Sequence, residues 1–160
     1  APALAATDKD YYAASVMNTV PWNYWDKNGK PFVTNYDFEV AISHSQGMVA
    51  VMVGQENLGL DIEKDSPRIL KIAHKFTRKD EGEFIPNREK QVYSLALWCA
   101  KEALFKKLGG GGIDFKEHMR VHPFTLQDEG TFSMTSYKEQ EKTHLLAYRW
   151  VSDYLLVYSK

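Results

Sequence analysis

A single cysteine in 160 residues, Cys99, rules out a disulfide within the chain and with it the crosslinked scaffolds of small secreted proteins. It stands between Trp98 and Ala100 in an apolar run, where a buried small hydrophobe is expected rather than a nucleophile or ligand. Charge of one sign is also lacking: 20 Lys and Arg oppose 21 Asp and Glu, a formal net charge of −1. A general nucleic-acid or membrane-surface binder is therefore not expected, and any basic site must be local. No apolar run approaches the roughly 20 residues that cross a bilayer, and the N-terminus lacks a basic segment followed by an apolar core of signal length. The expectation is a cytoplasmic protein with no membrane or nucleic-acid partner. Because the chain opens Ala1-Pro2-Ala3 without an initiator methionine, its first residues read as a processing remnant. Several catalytic signatures are missing too. There is no Gly-x-Ser-x-Gly, no His-Glu-x-x-His and no Cys/His cluster, and Gly109–Gly112 is followed by no Lys-Ser/Thr, which excludes a P-loop.

What is present is apolar and aromatic, 44% and 13% of the residues, enough for one core. The first stretch holds a short helix around Tyr11–Asn18, the aromatics Pro21-Trp22-Asn23-Tyr24-Trp25 and a turn at Asn28-Gly29-Lys30-Pro31. The pattern then predicts strands at Phe38–Ser43, Met48–Val53 and Leu58–Glu63, read as an antiparallel meander. After Ser66-Pro67, the spacing of Ile69, Ile72, Ala73 and Phe76 predicts a helix, and a short one follows from Arg78 to about Ile85. The longest helix runs from about Glu89 to Leu108, with Tyr93, Leu97, Ala100, Leu104 and Leu108 on one stripe and glycines closing it. Strands follow at Met119–Phe124, Thr131–Thr135, His144–Trp150 and Tyr154–Tyr158, the last two joined by a tight turn at Ser152-Asp153. The fold class is α+β, with antiparallel sheet packed against a long buried helix.

Three motifs carry chemistry. In Gly59-Leu60-Asp61-Ile62-Glu63, the strand period of two puts Asp61 and Glu63 on one face with Ile62 inward, so two carboxylates converge where a cation would relieve their repulsion. Taken alone, the pair also reads as an exposed strand end with two solvated acids. In Trp98-Cys99-Ala100-Lys101-Glu102-Ala103-Leu104-Phe105-Lys106, Glu102 and Lys106 fall one turn apart at the border of the apolar stripe. That is either a surface ion pair worth a few tenths of a kcal/mol or a carboxylate whose burial demands a metal or lysine partner. In Ile42-Ser43-His44-Ser45-Gln46-Gly47, a histidine between hydroxyls at a strand end could donate to a phosphate, or simply be exposed at a capped turn.

In order and spacing, Ser-His-Ser, Gly-Leu-Asp-Ile-Glu and Trp-x-x-Lys-Glu-Ala-x-x-Lys resemble the signature of the 4′-phosphopantetheinyl transferases, from about Gly29 to Phe124. Ser-His-Ser ahead of Asp-Ile-Glu is similar to the surfactin-synthetase-associated, monomeric branch. The resemblance implies transfer of the phosphopantetheine arm of coenzyme A to a serine of an acyl or peptidyl carrier protein, releasing adenosine 3′,5′-bisphosphate. It implies Mg2+, or Mn2+, held by Asp61, Glu63 and Glu102, with Glu102 as base and Lys106 stabilising phosphoryl charge. It implies further that Lys30, Ser43, His44 and Lys101 bind coenzyme A. Between the acid motifs, the basic cluster around Lys75, Phe76, Arg78 and Lys79 is expected to contact the acidic helix of a carrier, or else to be a solvated helix face.

Members of this branch have two halves related by a pseudo-twofold. Here the first half, residues 1–57, reads as shortened, and 58–160 as the half with the acid motifs; only Lys9, Lys27 and Lys30 stand where basic residues grip the nucleotide. Two rival readings follow: a noncatalytic module binding coenzyme A or a carrier, and an assembly protein presenting Trp22, Tyr24 and Trp25.

Overall fold

Two short runs rich in Val, Ala, Ile and Met build the first hairpin. Glu39–Ser45 (β2) and Met48–Gly54 (β3) run antiparallel, closed by Gln46 and Gly47 at φ of 43° and 88°, the two-positive-φ turn that matches strand twist. The computed structural model describes residues 3–7, 37–55 and 57–160. Ala3–Thr7 forms a strand, β1, on the other edge of β3, so the sheet order is β1-β3-β2. Ala1 and Pro2 lie outside the described residues. The expected Tyr11–Asn18 helix, the aromatics Trp22, Tyr24 and Trp25, and the turn carrying Lys30 lie outside the described residues.

Leu60–Lys64 (β4) does not complete the expected meander. It leaves the hairpin and pairs with Tyr154–Ser159 (β8) in a second antiparallel sheet, completed by Met119–Val121 (β5), Glu129–Ser136 (β6) and Lys142–Val151 (β7) in the order β4-β8-β7-β6-β5. Core formation drives the departure. Leu58 is buried just after the turn, and Ala41, Met48, Ala50 and Met52 of the first sheet share one apolar cluster with Leu60, Ile62 and Leu156 of the second. The turn between β2 and β3 is pinned to β8 by the Tyr154 hydroxyl, which donates to the Gln46 carbonyl at 2.7 Å. β5 stops at Val121, short of the expected Phe124. Pro123 has no N–H for a ladder, and Phe124 instead stacks on Tyr93 and meets Phe132 edge-on.

Helices cover the second sheet. Arg68–Phe76 (α1) buries Ile69, Ala73 and Phe76; Lys79–Phe84 (α2) follows, with Glu81 accepting from the Arg78 backbone N–H at 2.8 Å. A turn of 3-10 helix at Asn87–Glu89 leads into Lys90–Lys107 (α3). Most of the middle of α3 is buried, from Tyr93 to Leu97 and again at Cys99–Lys101, Ala103 and Leu104. It lies so close to β4 that a Cβ built on Gly59 would fall 2.2 Å from the Ala103 carbonyl oxygen. Beyond α3, Gly109 to Gly112 all adopt positive φ, a run that only glycine takes without strain. Among the described residues no helix is long and apolar enough to cross a membrane.

Candidate active site

No backbone pair joins β2 to β4 among the described residues, yet the two strands run side by side. Serine hydroxyls take the place of the missing carbonyls. Ser43 Oγ accepts from the Ile62 N–H at 3.2 Å and donates to Asp61 Oδ1 at 2.9 Å. Two residues further, Ser45 Oγ accepts from the Lys64 N–H at 3.3 Å and donates to Glu63 Oε2 at 2.7 Å. Period two in both strands lets the pattern repeat once, while His44 between the serines is exposed.

Across this seam stands α3. Lys106 Nζ reaches Asp61 Oδ1 at 2.8 Å and Ser43 Oγ at 3.1 Å, so its ion pair among the described residues is with Asp61, not with the neighbouring Glu102. Asp61 is only 3% exposed, and its second oxygen, Oδ2, is buried without a hydrogen-bond partner. An orphaned anionic oxygen inside a protein is costly unless something cationic meets it. Cys99 is fully buried close to Asp61; burial first, then the charges of Asp61 and Glu63 and a hydrogen bond between the thiol and the Asp61 carboxylate, push its thiol well above the ordinary range.

Ser43, His44, Asp61, Glu63, Trp98, Glu102 and Lys106 line one open cleft of about 290 Å³. Within it Glu102 and Glu63 hold their protons more tightly than usual, burial being the first cause of both. Glu102 is pushed up to about 7, by burial foremost and then by the negative charge of Asp61 and Glu63, against the opposing pull of Lys106. Glu63 is also raised, chiefly by burial, with the Ser45 hydroxyl working the other way. Among the described residues no three His, Cys, Asp or Glu close into a preformed metal cage. Open clefts of this kind suit Mg2+, which keeps several waters and takes few protein ligands. The orphaned Asp61 Oδ2 and the neighbouring carboxylates of Glu63 and Glu102 fit such an ion.

The structure separates several residues grouped by the sequence. Lys101 is not in the cleft, which corrects its expected contact with coenzyme A. It is fully buried on another face of α3, its ammonium bonded to the carbonyls of Phe76 and Phe115 at 2.7 and 2.9 Å and to Glu81 Oε2 at 2.8 Å. Adjacent helical positions diverge by about 100°, so Lys101 cannot follow Glu102. Phe76 is likewise corrected: it is 2% exposed and packs on Trp98 at 5.1 Å between centroids, offering no surface to a carrier. Lys75 and Lys79 are exposed, while half-buried Arg78 is engaged by Asp80 Oδ1 at 3.1 Å and by the Lys116 carbonyl. Ser43 lines the cleft, but its hydroxyl proton points to Asp61, so a phosphate would have to displace that bond. Ser45 escaped the sequence reading as a site residue. Its signal was the matched period of Ser-x-Ser and Asp-x-Glu.

Comparison with known proteins covers the stretch that carries Asp61, Glu63, Glu102 and Lys106. The model of the 4′-phosphopantetheinyl transferase superfamily matches residues 57–159. The chain belongs to this superfamily, on its surfactin-synthetase-associated branch. The 4′-phosphopantetheinyl transferase psf-1 of Bacillus pumilus is 38% identical over 92 residues, covering 55% of this chain and 39% of its own. The corresponding enzyme gsp of Aneurinibacillus migulanus is 30% identical over 123 residues, 75% of this chain and 49% of its own. Sfp of Bacillus subtilis is 34% identical over 87 residues, 52% and 39% respectively. The matches thus span between about two-fifths and half of these relatives' length.

Proposed function

We propose that this chain transfers the 4′-phosphopantetheine group of coenzyme A to a serine of an acyl or peptidyl carrier protein, releasing adenosine 3′,5′-bisphosphate. The observation that carries the reading is the convergence of Asp61, Glu63, Glu102 and Lys106 on one cleft, with Asp61 Oδ2 left unpartnered. Such a transfer needs negative charge neutralised, the nucleophile aligned and its proton removed. Asp61, Glu63 and Glu102 would hold Mg2+ or Mn2+. Bound there, the ion would supply Lewis-acid charge to the pyrophosphate of coenzyme A. Lys106, already fixed on Asp61 and Ser43, lends a positive charge at the cleft wall for a phosphoryl oxygen. Glu102, with its proton affinity raised to about 7, is suited to accept the serine proton near neutral pH, directly or through a water. His44, exposed at the rim, is positioned to donate to a nucleotide phosphate.

We assign residues 1–57 and 58–160 to the two halves of a pseudo-twofold arrangement; the separate sheets and the β2–β4 seam are consistent with it. Incubation of an apo carrier protein with this chain, coenzyme A and Mg2+ is expected to add the mass of phosphopantetheine. The gain should vanish in Glu102→Gln and without metal, as read by intact-mass spectrometry. Coenzyme A binding with no gain on any of several carriers would replace the transferase reading by a noncatalytic binding module.

A further inference from the structure

Ser45 does not line the cleft; it stands behind Glu63. Its hydroxyl makes two bonds at once, accepting the Lys64 N–H at 3.3 Å and donating to Glu63 Oε2 at 2.7 Å. The backbone bond fixes the residue after Glu63, and the side-chain bond fixes the carboxylate itself, so one atom controls both ends of the Glu63 side chain. Ser43 does the same for Asp61 and Ile62. The two acids, two residues apart on β4, are therefore spaced by two hydroxyls, two residues apart on β2, and not by β4 alone.

We propose that Ser45 is a positioning residue: by clamping Glu63 and the Lys64 amide together, it sets where the Glu63 carboxylate meets a divalent cation, and so tunes the site toward small ions of strict geometry. The inference rests on the metal reading given above. Mg2+ demands near-ideal octahedral geometry at about 2.0–2.1 Å, whereas Ca2+ accepts longer and more variable bonds. A carboxylate released from its partner should lose Mg2+ more than Ca2+. Partners behind metal ligands typically control about 10- to 100-fold of affinity.

Calorimetric titration of the whole chain with Mg2+ or Ca2+, without coenzyme A, tests this alongside Ser45→Ala and Ser45→Thr. Ser45→Ala is expected to weaken Mg2+ about tenfold or more while Ca2+ changes less. Ser45→Thr, which keeps the hydroxyl, should restore the parent ratio. Hydrogen exchange at the Lys64 amide should rise in Ser45→Ala and not in Ser45→Thr, a readout independent of any metal. Parent-like Mg2+ binding in Ser45→Ala, an equal loss for both ions, or a Ser45→Thr variant as weak as Ser45→Ala would overturn the clamp and leave the metal reading standing. A parent chain that binds neither ion overturns the metal reading, and the clamp with it.

Discussion

Glu102 and Lys101 are neighbours in sequence and strangers in environment. Glu102 shares its cleft with two other acids, and its proton affinity, raised to about 7 from an ordinary 4.5, has a consequence for stability. A carboxyl whose folded pKa exceeds its unfolded value contributes stability that is complete below about 4.5 and lost as pH climbs through about 7. Above that pH the ionised Glu102 strains the apo protein. Glu102→Gln should therefore melt higher than the parent at pH 8, with the gap closing as pH falls toward 4.5, while catalysis is lost. Melting curves across that range check it, and a constant gap would contradict the raised proton affinity of Glu102. Strand alternation made Asp61 and Glu63 legible as a pair, and helical spacing put Glu102 at the border of the apolar stripe; only the family resemblance joined the three. Lys101 was illegible, because sequence spacing does not reveal that two backbone carbonyls and a carboxylate wait on its side of the helix.

At the scale of elements, the contact between β4 and α3 decides the distance from Asp61 to Lys106. Gly59 allows it: any Cβ there would collide with the Ala103 carbonyl and with Lys107. Gly59→Ala should cost about 1–3 kcal/mol as overpacking, lowering the denaturation midpoint, and should weaken activity beyond what the stability loss explains, since it pushes the helix carrying Glu102 and Lys106 from the strand carrying Asp61 and Glu63. Helix boundaries were readable from sequence to within a residue or two, because capping, glycine closure and 3.6-residue periodicity are local. The partner of β4 was not. Leu60-Asp61-Ile62-Glu63 alternates equally well for either neighbour, and only burial of Leu58, Leu60 and Ile62 between the sheets, together with pairing to Tyr154–Ser159 some hundred residues away, selects the second sheet.

Across the whole molecule, the buried Lys101–Glu81 pair acts as a knot. Lys101 ties the end of α1 to the loop at Phe115, and Glu81 passes the connection to the Arg78 and Val121 amides, at 2.8 Å each. Removing one member of such a pair strands the other's charge, typically at about 3–5 kcal/mol. Lys101→Ala should accordingly show a large loss in urea stability, with the coenzyme A KM of the surviving folded fraction unchanged; a selective rise in KM would return Lys101 to the substrate. The joint between the sheets is of another kind. A backbone ladder is available whatever the side chains, but the polar contacts linking β2 and its turn to β4 and β8 belong to Ser43, Ser45 and Tyr154. Substituting Ser43, Ser45 or Tyr154 would therefore alter that joint one side chain at a time, while each sheet's internal pairing and the apolar cluster shared by Met52, Leu60 and Leu156 stay in place.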